Sequence, residues 1–230
     1  MSFLFTGIIL PVVCSSQVSD TEIVLLHQLD SVQKSPSVAS HFAGIYFEVT
    51  VKAVEFYKKN DAPAREFIQR LESSFAVYFF RSAEAFAKGA VIPAVWQTYF
   101  TGMSFTPLQY QLLGINAHIN GDIWQAMTKE FSLQELKDYK RYYFDFNRAL
   151  IKEYEQVYRA GVTASNTINI LHHASLGLDK EYGKMMLKRW RKRQMQLAIL
   201  YFTDHEKFSK KLMILHQKMQ HLNRMITTYL

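Results

Sequence analysis

The amino-acid sequence predicts an all-α fold, a single-domain bundle of about seven to nine helices, and three observations carry that prediction. Apolar residues recur at helical spacing along most of the chain. Breakers are scarce, 9 glycines and 5 prolines among 230 residues, so long helices meet little interruption. Hydrophobic residues make up 49% and charged residues 20%, a balance that builds a real core rather than a disordered tail and fits one helical domain over 1–230.

Before the first helix, Phe3 to Val13 form an apolar run. A bilayer span needs about 20 apolar residues, and this run is shorter and contains Pro11, so no membrane span is expected. A secretory signal would carry a basic residue ahead of the apolar stretch, and none is present. Residues 1–18 are therefore expected to be a retained segment packed on the body of a cytoplasmic protein. Cys14 is the only cysteine, which excludes an intramolecular disulfide framework and a multi-cysteine metal site.

A first helix starts near Ser19 or Asp20, either of which can cap it, carries Ile23, Leu26 and Leu29, and stops before Ser35 and Pro36. A second runs from about Ser40 to Lys59 with Phe42, Ile45, Tyr46, Val49, Ala53 and Phe56 on one stripe. Asp61 and Pro63 open a third, which carries Phe67, Leu71, Phe75, Tyr78, Phe79 and Phe86 and ends at Gly89. Pro93 to Phe100 form a short helix around Trp96. Thr106 and Pro107 open a fifth that reaches about Glu130, and the capping-box pair Ser132 and Glu135 opens a sixth that ends near Gly161. The segment from Asn166 to Ala174 gives no clear reading. Two basic helices follow, about Lys180 to Phe202 and, after a Thr203/Glu206 capping pattern, Glu206 to Tyr229.

Charge is unevenly placed along these elements. Residues 161–230 carry 12 Lys and Arg against 4 Asp and Glu, while the first 160 carry 15 against 16. The densest stretch, Lys188 to Arg193 around Trp190, spreads over more than a helical turn and points in several directions, so it reads as a solvated face. Nucleic acid is not an expected partner, because no nucleic-acid-binding motif accompanies the charge. Phosphate-binding glycine loops and the hydrolase nucleophile elbow are absent as well.

The segment with chemical content lies in the fifth helix, from Leu112 to Ile123. At about 100° per residue, Leu112, Ile115, Ile119, Ile123 and Ala126 form its apolar stripe. His118 and Asp122 border the stripe on one flank, Asn116 and Asn120 on the other. Four residues apart, His118 and Asp122 aim at one point, which suits two ligands of a divalent metal ion or a carboxylate orienting a histidine base. A metal site needs further donors, for which His41 and Glu48 on the second helix or Asp138 and Asp145 on the sixth are candidates. The other histidines are scattered (His27, His172, His173, His205, His216, His221) and read as surface or packing residues, and the methionines from Met185 to Met225 read as core filler.

Gly114 to Ile123 resembles the hallmark Gly-x-Asn-Ala-His-Ile-Asn-x-Asp-[Leu/Ile] helix of DUF5995, a family of bacterial proteins of unknown function. The similarity extends to Tyr46 and Thr50, to Phe75 and Ala76, and to Pro93 and Trp96. It thins after about residue 160, and a later Asp-aromatic element of the family corresponds to Asp138-Tyr139 or to Asp145-Phe146. The resemblance implies an all-helical fold and a site at the hallmark helix, and no particular reaction.

Two functions fit these residues. In the first, a polar pocket centred on the hallmark helix binds a small molecule. His118 and Asp122 act there as catalytic residues or metal ligands in metal-assisted hydrolysis, and Asn116 and Asn120 bind the ligand. In the second, the same residues form a buried polar latch in a non-catalytic binding or scaffold protein.

Overall fold

A computed structural model describes residues 20–164 and 178–230, and among them the chain is helical with no strand. Helix α1 spans Asp20–Gln33, α2 Ser40–Lys58 and α3 Ala62–Ala87. A 3₁₀ turn at Ala94–Trp96 leads into the short α4, Gln97–Thr101. Then come α5, Pro107–Asn116, one π-helical turn at Ala117–Asp122, and α6, Ile123–Glu130. The remaining helices are α7, Leu133–Asp138; α8, Lys140–Ala164; α9, Leu178–Thr203; and α10, His205–Tyr229. The apolar N-terminal run, the segment from Asn166 to Ala174, His172 and His173 lie outside the described residues.

Local chemistry explains most boundaries. Asp61 accepts a hydrogen bond from the Ala64 amide and Pro63 follows it, so α3 starts with one orphan donor satisfied and one absent. Gly89, with φ of 63°, lies just past its end, where a left-handed backbone suits glycine. The predicted capping box of Ser132 and Glu135 is formed, and Thr106, predicted to open α5, makes a second box with Gln109. Arg70 adds a tertiary clamp at the second box: it pairs with Glu130 at 3.1 Å and Glu135 at 3.0 Å and lies over the Phe131 ring.

Four local expectations are corrected. The inner face of α1 is Glu22, Leu25 and Leu29, while Ile23 faces solvent, because Gln69 draws the Glu22 carboxylate inward by a hydrogen bond. The predicted sixth helix breaks at Tyr139, whose ring packs against Phe67 and Phe131 and leaves the capped α7 as a short separate piece. Asp204 caps α10 by accepting from the Lys207 amide, while Thr203 bonds back to Ile199 and so finishes α9. The long fifth helix contains the π turn, which inserts one residue into the 3.6-residue period.

The core runs along α2 and α3, which pack on one another, with α1, α5 and α8 against α2 and α6 against α3. Its middle is aromatic: Phe42, Phe79, Trp96 and Tyr99 meet edge-on or tilted at 5.1–5.5 Å. Helix α9 lies on α6 and α8, and α10 closes over α5 and α9 with a smaller cluster of Leu197, Phe208, Leu215 and Met219. No described helix is long and apolar enough to cross a membrane.

Candidate functional site

The π turn carries Ala117 to Asp122, so the hallmark residues sit at the one place where the helix departs from α geometry. Its consequence is a change of faces. Asn116, His118, Asn120 and Asp122 are all buried, at 2% exposure or less, whereas Leu112, Ile115 and Ile119 of the predicted core stripe are only half-buried and line an open cleft. Ile123 and Ala126 beyond the turn are buried as the stripe requires. In the interior, His118 and Asp122 are joined by a hydrogen bond of 2.9 Å between Nδ1 and Oδ2. The Trp96 indole donates to the same Oδ2 at 3.0 Å. The His118 ring stacks on Phe75 with centroids 3.4 Å apart and meets Tyr46 at 4.6 Å.

Burial dominates the electrostatics of this pair. It pushes the Asp122 carboxyl well up, more than the Trp96 hydrogen bond lowers it, and pushes the His118 imidazole well down, helped by the Arg191 charge. Both shifts favour the uncharged forms, and which group donates in the His118–Asp122 contact follows the imidazole tautomer. Among the described residues, five buried polar atoms of this interior have no hydrogen-bond partner: His118 Nε2, Tyr46 Oη, Thr50 Oγ1, Asn120 Oδ1 and Gln194 Oε1. Buried polar groups are normally satisfied, so this concentration makes the interior around His118 the candidate site.

Asn116 and Asn120 do a different job. Asn120 donates to Asn116 at 2.9 Å, and Asn116 donates to the Met219 carbonyl at 3.1 Å and to Asn223 at 2.8 Å. Asn223 in turn donates to Thr98 at 3.1 Å. This chain docks α10, and among the described residues it leaves Asn120 Oδ1 as the one side-chain polar atom of the two asparagines without a partner.

The further metal donors do not join the pair. His41 stacks on Tyr110, Glu48 is exposed in the cleft wall, Asp138 accepts from Gln134, and Asp145 pairs with Arg141 and Arg148. Among the described residues no three His, Cys, Asp or Glu side chains could hold a metal ion together. His118 Nδ1 and Asp122 Oδ2 are engaged with one another, which is the arrangement of an oriented imidazole rather than of two ligands facing one ion. His27, His205, His216 and His221 are exposed. Of the methionines, Met195 and Met219 fill core positions, while Met185, Met213 and Met225 are exposed.

Two residues of this interior escaped the sequence reading. Arg191, placed there in a solvated basic run, is 8% exposed, while Lys188, Arg189 and Lys192 around it do face water. Glu72 is buried on the apolar stripe of α3 between Ile68 and Phe75. The signal for both was available: a charged residue at a position that helical spacing assigns to the core, with Leu187, Gln194, Met195 and Ala198 marking that face of α9.

Burial raises the Glu72 carboxyl to about 7, against the lowering effect of the Arg191 charge. The unfolded chain releases that proton near 4.5, so the stability Glu72 contributes is complete below pH 4.5 and is lost as pH rises through about 7. Glu72→Gln is accordingly expected to match the parent at pH 4.5 and to exceed it at pH 8 by on the order of 3 kcal/mol. Urea unfolding at both pH values measures this, and a difference independent of pH would show that Glu72 is not held protonated.

No curated protein and no solved structure matches the chain. A family model described as "Family of unknown function (DUF5995)" matches residues 22–229, which carries the similarity through α8, α9 and α10, well beyond the hallmark helix. From the hallmark helix and this match over nearly the whole described structure, the chain belongs to the DUF5995 family.

Proposed function

We propose that the chain is a hydrolase-like protein whose reaction centre is the His118–Asp122 pair, with Tyr46 and Asn120 binding the polar part of a small-molecule substrate. One observation carries this reading: His118 is fixed on its Nδ1 side by Asp122 and on its face by Phe75, while Nε2 is buried with no partner among the described residues. A ring held this way can move a proton without moving itself. With Asp122 protonated, Nε2–H is a donor to a substrate oxygen. When the pair gives up one proton, Asp122 passes its own to Nδ1 and Nε2 releases its own, so that Nε2 becomes a base for an attacking water. Activity should therefore rise toward alkaline pH as the raised Asp122 proton is lost.

The polar latch is the competing reading, and the nearly complete burial of the pair together with the Trp96 hydrogen bond favours it. Hydrolysis of chromogenic acyl esters by the full chain separates the two, with melting curves and elemental analysis on the same samples. The reaction centre predicts hydrolysis above the solvent rate that falls about 10²-fold or more in His118→Gln at an unchanged fold. No hydrolysis by the parent, with a lowered Tm in His118→Gln, would leave the latch. Stoichiometric divalent metal that is lost in His118→Gln would make the pair a metal centre instead.

A further inference from the structure

The five orphaned atoms belong to the reaction centre just described, but the cleft outside it has its own chemistry. It lies between α2, α5, α8, α9 and α10 and has a volume of about 480 Å³, within the range of small-molecule sites. Its walls are nearly all apolar, Ile45, Val49, Leu112, Ile115, Ile119 and Leu222 among them, and these side chains are half-buried. Three charged residues also line it. Glu48 is exposed and Lys52 pairs with Glu55 at 3.1 Å, so both mark the solvent edge. Arg191 marks the inner end.

Arg191 is the unusual group. Its Nη1 donates to Asn147 Oδ1 at 2.6 Å and its guanidinium stands 5.9 Å from the centroid of the Phe146 ring. Among the described residues no carboxylate reaches it at salt-bridge distance. The acid that acts on it through space, Glu72, holds its proton up to about pH 7. A guanidinium presents five donors, and one asparagine oxygen satisfies few of them. A buried cation with no counter-charge is costly, and a carboxylate is the planar, two-pronged partner that fits it.

We propose that this cleft binds an amphiphilic monoanion, an apolar chain ending in a carboxylate, with the chain along Ile45, Ile115 and Ile119 and the head group on Arg191. The site is a binding site in its own right and stands whether or not His118 transfers a proton.

Calorimetric titration of the full chain with dodecanoate, octanoate, acetate and dodecanol, each below its micelle concentration, tests it. Dodecanoate is expected to bind, with Kd falling about threefold to fourfold for each added methylene, and acetate to give no signal. Dodecanol should bind about 10-fold or more weakly than dodecanoate, and Arg191→Met should erase that difference. Ile115→Trp, which fills the cleft and leaves Arg191 intact, should abolish binding of both chains. Equal affinity for dodecanol and dodecanoate in the parent would reduce the cleft to an apolar surface and overturn the proposal. Acetate binding as tightly as dodecanoate, no dodecanoate binding at all, or full binding by Ile115→Trp would each overturn it too. The chain-length series, the alcohol comparison and the tryptophan variant decide the matter even if Arg191→Met fails to fold.

Discussion

Asp122→Ala is expected to be among the most destabilising single substitutions in the chain. It removes the acceptor of the Trp96 indole and the partner of His118 Nδ1 in one step, and both groups are fully buried. Each stranded polar group costs about 1 to 3 kcal/mol, so the sum is about 2 to 6 kcal/mol. For a protein of this size that lowers Tm by roughly 5 to 20 °C. Asp122→Asn, whose amide oxygen at the Oδ2 position can accept both from the Trp96 indole and from the Nδ1–H tautomer of His118, should recover most of the loss. Urea unfolding of the two variants measures both effects, and equal stability of the alanine variant and the parent would show that the pair does not hold the interior together.

Gly114→Ala should be nearly as harmful, for a steric reason. A Cβ at Gly114 would lie 2.5 Å from the Phe42 ring, which cannot step aside because Phe79 and Trp96 pack on it at 5.1 and 5.5 Å. Overpacking a filled core of this kind costs about 1 to 3 kcal/mol, and the shift would pass to His118, which meets Phe42 at 5.3 Å. Gly44→Ala in α2 is the control. Its Cβ would meet only the Gln33 side-chain oxygen at 3.6 Å, an ordinary contact, and the better helix former should leave stability unchanged or raise it by up to about 1 kcal/mol. Comparable losses in both variants would remove the steric argument.

The legible parts of this protein were those governed by local rules. Helix boundaries at Asp61, Thr106 and Ser132 follow from side chains that cap their own helix, and these rules operate within four residues. The position of the polar cluster in the chain was legible too, because His118, Asp122, Asn116 and Asn120 stand out against apolar neighbours. Their orientation was not. A constant 100° per residue places the leucine and isoleucine stripe inward and the polar residues at its borders, and the π turn changes that geometry within one turn. Arg191 was hidden by its surroundings, since a basic residue in a basic run looks solvated unless its phase against Leu187 and Gln194 is weighed above its charge.

The asparagine and glutamine contacts that dock the last helix have a consequence for how the sequence can drift. Gln109 donates to the carbonyl of Ile226 at 3.1 Å and Asn116 to the carbonyl of Met219 at 3.1 Å. Both reach oxygens of the α10 backbone, each of which has a second lone pair to spare beyond its own helical bond. Every residue type supplies the same oxygen, so these two contacts are specified by α5, and α10 adds to them the side chain of Asn223 and its buried face. Substitutions on the exposed face of the last helix can accumulate without sliding it, while a change at Gln109, Asn116 or Asn223 loosens it.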